Sequence, residues 1–287
     1  MTAILWASSK DYLEIVKLLL DHGAKTDLPG YQGATALMAA SQAGYIEIVK
    51  LLLDHGAKLD LQSNEGVSEL MVAATKGQAE IVKILADRGA KLDLQESNGS
   101  SALFFASQNG YREIVKLLLD KGADLELPLN DGVTPLMISS ENGHTEIVRL
   151  LLDTGVKPEA HDENNGWTAL IYASFKGKTE AVKLLLDKGA KADWQFKGGF
   201  TALMLASQYG NTEVVKLLLN NGAKVDLGIP DGPTALIVAA AHGNTEVVKL
   251  LLEKGANAEI KTIEGKTAYD YATKDENKTL LLDHIKK

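Results

Sequence analysis

Two short segments of the sequence contain the Gly-Lys-Thr end of a phosphate-binding loop, which holds a nucleotide through backbone amides and the lysine. These segments are Gly177–Thr179 and Gly265–Thr267. A complete motif requires another glycine five residues before the first residue of each segment, and those positions hold Tyr172 and Ile260. We therefore expect no nucleotide site and no bound cofactor.

Two other groups of residues suggest metal ligands, but their spacing is unsuitable. Asp162–Gly166 is rich in oxygen donors, yet a calcium loop needs its glycine at position six and a glutamate at position twelve, where Ala173 stands. His22 and His55 lie 33 residues apart, which is one period of a repeat that runs through the sequence. Helices of neighbouring repeats pack roughly 8 to 10 Å apart. Two ligands of one zinc ion must lie within about 4 Å of each other. We expect no metal site.

The chain also lacks the arrangements that hydrolases use. It contains no cysteine, which excludes a cysteine nucleophile and a thiolate zinc site. We find neither a His-Glu-x-x-His pattern nor a serine between the glycines of a nucleophile elbow. The sequence therefore predicts a non-catalytic protein with no catalytic residues.

Charge and hydropathy limit the kinds of partner. The 287 residues include 38 Asp and Glu against 30 Lys and Arg, a net charge of −8, which disfavours nucleic acid and anionic lipid. No apolar run approaches the roughly 18 residues of a membrane span, and the first residues do not resemble a secretory signal. We expect a cytoplasmic protein that is monomeric on its own and does not insert into membranes.

The glycines recur with a fixed period. Gly33 begins a column that repeats every 33 residues, with a single step of 34 residues before Gly166. Two further columns, beginning at Gly23 and Gly44, keep the same period. Such periods are typical of solenoids, in which each repeat buries its apolar face only against its neighbours. The sequence predicts a single domain over residues 1–287.

One repeat shows how its elements form. Thr35 can cap a helix over Ala36–Ser41, which Gly44 closes because glycine readily adopts the left-handed conformation. A second helix over Glu47–Leu53 has a broad apolar surface with its charges turned outward. Residues 57–65 then run extended into a turn. We predict two short helices followed by a projecting loop in each repeat.

The most regular repeat resembles the ankyrin repeat signature. The resemblance rests on Thr134–Leu136, the Gly143–His144 pair, Glu146–Leu152 and Gly155, and the same frame covers essentially the whole chain as about nine repeats. It implies an all-α ankyrin-repeat solenoid of paired antiparallel helices with projecting β-hairpin-like loops. One departure is Met137, which replaces the histidine that commonly follows Thr-Pro-Leu in this family.

The two ends differ from the middle repeats. Residues 1–32 begin inside a repeat and lack its leading loop, so we interpret them as a truncated N-terminal repeat. Residues 265–287 lose the internal glycine and gain charge. A charged outer face in water is typical of a terminal repeat, so this segment is predicted to be a C-terminal capping repeat.

Binding residues are expected where the repeats differ, because positions that hold the frame must recur. In ankyrin-like proteins the loop tips and the ends of the first helices line a concave groove. Large aromatic residues replace small or polar ones there, and such residues often dominate binding energy. The predicted protein-binding residues are the aromatic Trp167, Phe175, Phe196, Phe200 and Tyr209 and the polar Glu141, Asn142, Lys176 and Gln208.

The aromatic residues can pack within the repeats as well as bind a partner, and the function has alternatives. Trp194 replaces a leucine of other repeats and is expected to pack in its loop, whereas Trp167, Phe196 and Phe200 are expected to be exposed. The predicted function is a non-catalytic module or scaffold that binds a protein or extended peptide through the groove and loop tips. Alternatives are a structural or regulatory segment of a larger protein, or an engineered ankyrin scaffold.

Overall fold

The computed structural model describes residues 2–286, and their regular secondary structure is helical. Within that range the only β-pairing is an isolated bridge between His161 and Thr168. None of the described helices has the length and apolar character needed to cross a bilayer. By its internal contacts the chain divides into two compact units, Met1–Asn130 and Asp131–Lys287.

The first unit consists of four consecutive helix pairs. Helices α1, α3, α5 and α7 pack side by side in an inner layer, while α2, α4, α6 and α8 pack in an outer layer. A 3₁₀ turn, Tyr31–Gly33, precedes α3. The helices are α1 (Ala3–Ser8), α2 (Leu13–Asp21), α3 (Ala36–Ala43), α4 (Ile46–Asp54), α5 (Glu69–Thr75), α6 (Ala79–Asp87), α7 (Ala102–Asn109) and α8 (Arg112–Asp120).

The second unit repeats the arrangement with five pairs. Odd-numbered helices again form an inner layer and even-numbered helices an outer layer, and the inner helix of the last pair is a single turn. The helices are α9 (Pro135–Asn142), α10 (Thr145–Asp153), α11 (Ala169–Phe175), α12 (Thr179–Asp187), α13 (Ala202–Gln208), α14 (Thr212–Asn220), α15 (Ala235–Ala241), α16 (Thr245–Glu253), α17 (Ala268–Tyr271) and α18 (Asp275–Ile285).

The inner helix α3 begins at the predicted Ala36 and ends at Ala43, two residues beyond the predicted Ser41. Thr35 Oγ1 accepts the Met38 N–H at 3.2 Å, and Gly44 follows α3 with a φ of 88°. The outer helix α4 extends one residue beyond the predicted limits at each end. Hydroxyls that cap other inner helices in the same way belong to Ser68, Ser101, Thr134, Thr201 and Thr234. The all-α fold predicted from the repeat is confirmed.

Each loop turns back on itself over a few residues. Ser63 donates its N–H to the Val67 carbonyl at 2.9 Å, which closes a tight hairpin. Successive loops are joined by a backbone bond, in which the Asn64 N–H donates to the Gln32 carbonyl at 2.9 Å, and by a side-chain bond, in which Asp27 Oδ1 accepts the Lys58 N–H at 3.0 Å. With so few ladder bonds the loops are hairpin-like turns, and the helices supply the core.

The outer helices bury one apolar face in every internal repeat. Ile48, Val49 and Leu52 of α4 have no exposed surface. In the first repeat the residue equivalent to Ile48 is Ile15, which is 45% exposed. The equivalent isoleucine is therefore a surface residue in the first repeat and a core residue in the second.

A buried carboxyl group occupies the first turn of α5. Glu69 stands where other inner helices begin with alanine or proline, and it is only 1% exposed. Its Oε1 accepts the Asp60 N–H at 2.9 Å. Burial raises the pKa of Glu69 above its usual value, against the opposing effect of the hydrogen bond from Asp60. Sequence reasoning did not identify this group.

We predict that Ile48→Ala lowers the free energy of unfolding by about 2 to 5 kcal/mol, because it leaves a cavity in a fully packed layer. The matched change Ile15→Ala is expected to cost less than about 1 kcal/mol, since that side chain is already half in water. Urea denaturation followed by circular dichroism measures both. Equal losses for the two variants would contradict the buried stacking of the outer helices.

The raised pKa of Glu69 makes stability depend on pH. The Glu69 carboxyl binds its proton more tightly in the folded chain than in the unfolded chain. The stabilisation that this bound proton provides is therefore lost as pH rises through the raised pKa. The unfolding free energy of wild type, minus that of Glu69→Gln, should therefore fall between about pH 4 and about pH 7. Urea titrations at both pH values measure this difference. The control Glu65→Gln removes an exposed carboxylate nearby, and an equal trend for it would refute the assignment to Glu69.

Candidate functional site

Five aromatic side chains of the second unit come together at the ends of two neighbouring repeats. Trp167 lies just before α11, and Phe175 is its last residue. Phe196 and Phe200 lie in the loop before α13, and Tyr209 directly follows that helix. We refer to these five residues as the aromatic cluster.

The rings of the aromatic cluster form one continuous chain of contacts. The Trp167 ring centroid lies 5.4 Å from that of Phe175 and 5.5 Å from that of Phe196, both edge to face. Tyr209 meets Phe175 at 4.8 Å and 87°, and Phe200 stacks on Phe196 at 5.8 Å. Offset and edge-to-face arrangements are the favoured geometries of aromatic pairs. The structure thus joins all five aromatic residues that the sequence singled out.

Exposure within the aromatic cluster is uneven. Tyr209 is 53% exposed, whereas the other four side chains are partly buried. The expectation that Trp167, Phe196 and Phe200 are exposed is therefore corrected: each covers part of its neighbour through the ring contacts. The resulting surface presents ring edges around one prominent tyrosine.

Asp162 holds the loop that carries Trp167. Its carboxylate is 1% exposed, and Oδ1 accepts the Asn165 N–H at 2.6 Å. Oδ2 accepts both the Trp167 N–H at 3.0 Å and the Tyr172 hydroxyl at 3.2 Å. The Tyr172 ring in turn meets Trp167 edge to face at 5.1 Å. This carboxylate is therefore committed to the loop rather than available to a calcium ion.

The environment of Tyr172 is negative. Burial raises the pKa of its hydroxyl above the usual range, and the nearby carboxylates of Asp162, Glu141 and Asp131 raise it further. The hydroxyl consequently stays protonated and continues to donate to Asp162. Asp162 also accepts the Trp167 N–H, which places this negative environment next to the aromatic cluster.

Trp194 packs in its loop, as the sequence indicated. Its Nε1 donates to the Gly166 carbonyl at 3.0 Å, and its ring lies 5.2 Å from that of His161. The indole therefore connects its own loop to the preceding loop, which carries His161 and Gly166. This role requires no partner.

Among the predicted polar residues, Lys176 contacts the aromatic cluster and Glu141 pairs with Lys176. Lys176 Nζ lies 4.7 Å above the Phe175 ring and 3.4 Å from Glu141 Oε1. Asn142 is the exposed last residue of α9, and Gln208 is the half-buried last residue of α13. The Gln208 carbonyl accepts an amide N–H of Asn244 at 2.8 Å, a bond that joins successive repeats.

The histidines of the first repeats serve helix ends. His22 Nδ1 lies 2.8 Å from the Leu18 carbonyl, and His55 Nδ1 lies 2.9 Å from the Leu51 carbonyl. In the described part of the chain, no three His, Asp or Glu side chains are grouped as metal ligands. The aromatic cluster is left as the candidate site.

Sequence reasoning missed Asp162 and Tyr172 as positioning residues. The available signal was the one inserted residue before Gly166, which lengthens the hairpin so that Asp162 N–H reaches the Trp167 carbonyl at 3.0 Å. The sequence indicated only a longer polar loop there. The spacing of residues in the sequence does not show that the Tyr172 hydroxyl donates to Asp162 in that loop.

Comparison with protein-family models assigns most of the chain. A model described as ankyrin repeats (3 copies) matches residues 1–64, 70–162 and 154–229. A second, described as ankyrin repeats (many copies), matches residues 218–272. No curated protein matches the chain.

We predict that Asp162→Ala destabilises the second unit by about 1 to 3 kcal/mol, because two backbone N–H groups and a hydroxyl lose their acceptor. Hydrogen exchange of residues 161–168 should accelerate by at least about fivefold at the same time. Mass spectrometry of peptic fragments measures the exchange. Glu163→Ala, the exposed neighbour, should stay within about 0.5 kcal/mol of wild type. Matching effects of the two variants would show that Asp162 does not hold the loop.

Proposed function

Because the chain belongs to the ankyrin repeat family, we propose that it is a non-catalytic module that binds a protein or extended peptide through the aromatic cluster and the adjoining loop tips. Ankyrin repeats are generally protein–protein interaction modules. The proposal adds a location on this chain, in the second unit at the ends of α11 and α13. The cytoplasmic location and monomeric state remain predictions from composition.

The observation that carries the proposal is that the repeat frame does not require these aromatic residues. Inner helices of seven or eight residues also form with small or polar residues at the equivalent positions. Positions equivalent to Phe175 hold Gln42, Thr75, Gln108, Glu141, Gln208 and Ala241, and those equivalent to Tyr209 hold Ala43, Lys76, Asn109, Asn142, Lys176 and His242. Since the fold tolerates alanine at these positions, the aromatic side chains that occupy them here are available to contact a partner.

Preorganisation also supports binding at this surface. Trp167 is held by Asp162 through its backbone and by three aromatic rings through its side chain. A partner therefore need not pay the full conformational entropy of ordering these side chains. Tyrosine and tryptophan in such settings provide large contact areas and commonly act as hot spots.

The test is a random-peptide display library panned against the whole protein. We expect enriched peptides to lose at least about tenfold in affinity for Tyr209→Ala, the magnitude typical of a hot-spot residue. Fluorescence anisotropy with the synthesised peptides measures the affinities.

The matched control is Tyr31→Ala, which removes a tyrosine that is 82% exposed at a loop of the first unit. Binding to this variant should equal binding to wild type. Peptides whose affinity is unchanged by Tyr209→Ala, or is lowered equally by both substitutions, would refute the proposed location.

A further inference from the structure

Carboxylates border the aromatic cluster on the side of Trp167. Glu141, Asp131 and Asp162 act together on the Tyr172 hydroxyl, whose ring contacts Trp167. Asp162 is buried and committed to its loop, whereas Glu141 is partly exposed at the end of α9. Of the three carboxylates, those of Glu141 and Asp131 are therefore the ones that a partner can reach.

Two lysines of the chain already occupy cation positions at the edge of the aromatic cluster. Lys176 lies over the Phe175 ring and beside Glu141, at 4.7 Å and 3.4 Å. Lys197 Nζ donates to the Glu163 carbonyl at 2.7 Å and to the Asn164 carbonyl. An aromatic face next to a carboxylate, and a loop tip with outward carbonyls, are both favourable surroundings for a cation.

We propose that the partner segment is a basic peptide, in which an arginine or lysine side chain next to an apolar or aromatic one binds at Phe175 and Glu141 in place of Lys176. This inference rests on the proposed function and adds the chemistry of the partner. The apolar residue of the segment packs on Tyr209, the most exposed ring of the aromatic cluster.

Charge complementarity favours this occupant over the other candidates. An acidic peptide would meet the partly exposed carboxylates of Glu141 and Asp131. A second copy of this chain brings a net charge of −8 to the same surface. Opposite charges across an interface speed association and exclude wrong partners.

Two single substitutions should change the affinity for a basic peptide in opposite directions. Lys176→Gln removes the competing cation and leaves Glu141 and the Phe175 face open, so the affinity for a basic peptide should rise about threefold. Glu141→Gln removes the carboxylate that the incoming cation pairs with, so the affinity should fall by about threefold or more. Because both changes break the same internal ion pair, a general effect on folding would move both affinities the same way.

The probe is the set of display-library peptides whose binding depends on Tyr209. We expect these peptides to be net positive and to bind more weakly as salt concentration rises. Anisotropy titrations compare wild type with Lys176→Gln, Glu141→Gln and the control Lys76→Gln, which neutralises the exposed lysine at the equivalent position of the first unit. The control should leave affinity unchanged.

The outcomes separate the two proposals. Tyr209-dependent peptides that are neutral or acidic, or that bind Lys176→Gln more weakly than wild type, overturn the basic partner while the binding surface stands. A response to Lys76→Gln equal to that of Lys176→Gln also overturns it. If no enriched peptide depends on Tyr209, the proposed function fails, and this inference fails with it.

Discussion

Every helix pair in this chain depends on burying its apolar face against the next pair. Helices of four to eleven residues are too short to persist alone in water, and the buried Ile48 and Leu52 show where their stability arises. Hydroxyl caps and left-handed glycines set the helix ends, so that successive pairs meet in the same register. This requirement explains why the residues of the frame recur with so little variation.

The same requirement leaves the loop tips and the ends of the inner helices free to vary. In the second unit that freedom is used by aromatic rings, which pack on one another at 4.8 to 5.8 Å between centroids. Asp162 and Trp194 hold the lengthened loop beneath them through hydrogen bonds at 3.0 Å. We propose that this surface, ordered by these contacts and edged by carboxylates and lysines, recognises a basic segment.

The sequence predicts the frame well because its determinants are local. The cap at Thr35 and the left-handed Gly44 act within one repeat, and the period reports the stacking of repeats. It also identifies the five aromatic residues, by contrast with their equivalents. The partial burial of Phe196 and the donation from Tyr172 to Asp162 depend on contacts between residues that are distant in sequence or carried by an irregular loop. The buried carboxyl of Glu69 was missed for a similar reason, since it accepts a hydrogen bond from the Asp60 N–H of the preceding loop.

The most direct measurement is the map of backbone amide chemical-shift changes when a Tyr209-dependent peptide is added to the isotope-labelled protein. We expect the largest changes on residues 161–167 and 195–200 and on the last turns of α11 and α13. Changes concentrated on the outer helices α10, α12 and α14, or on the first unit, would contradict it.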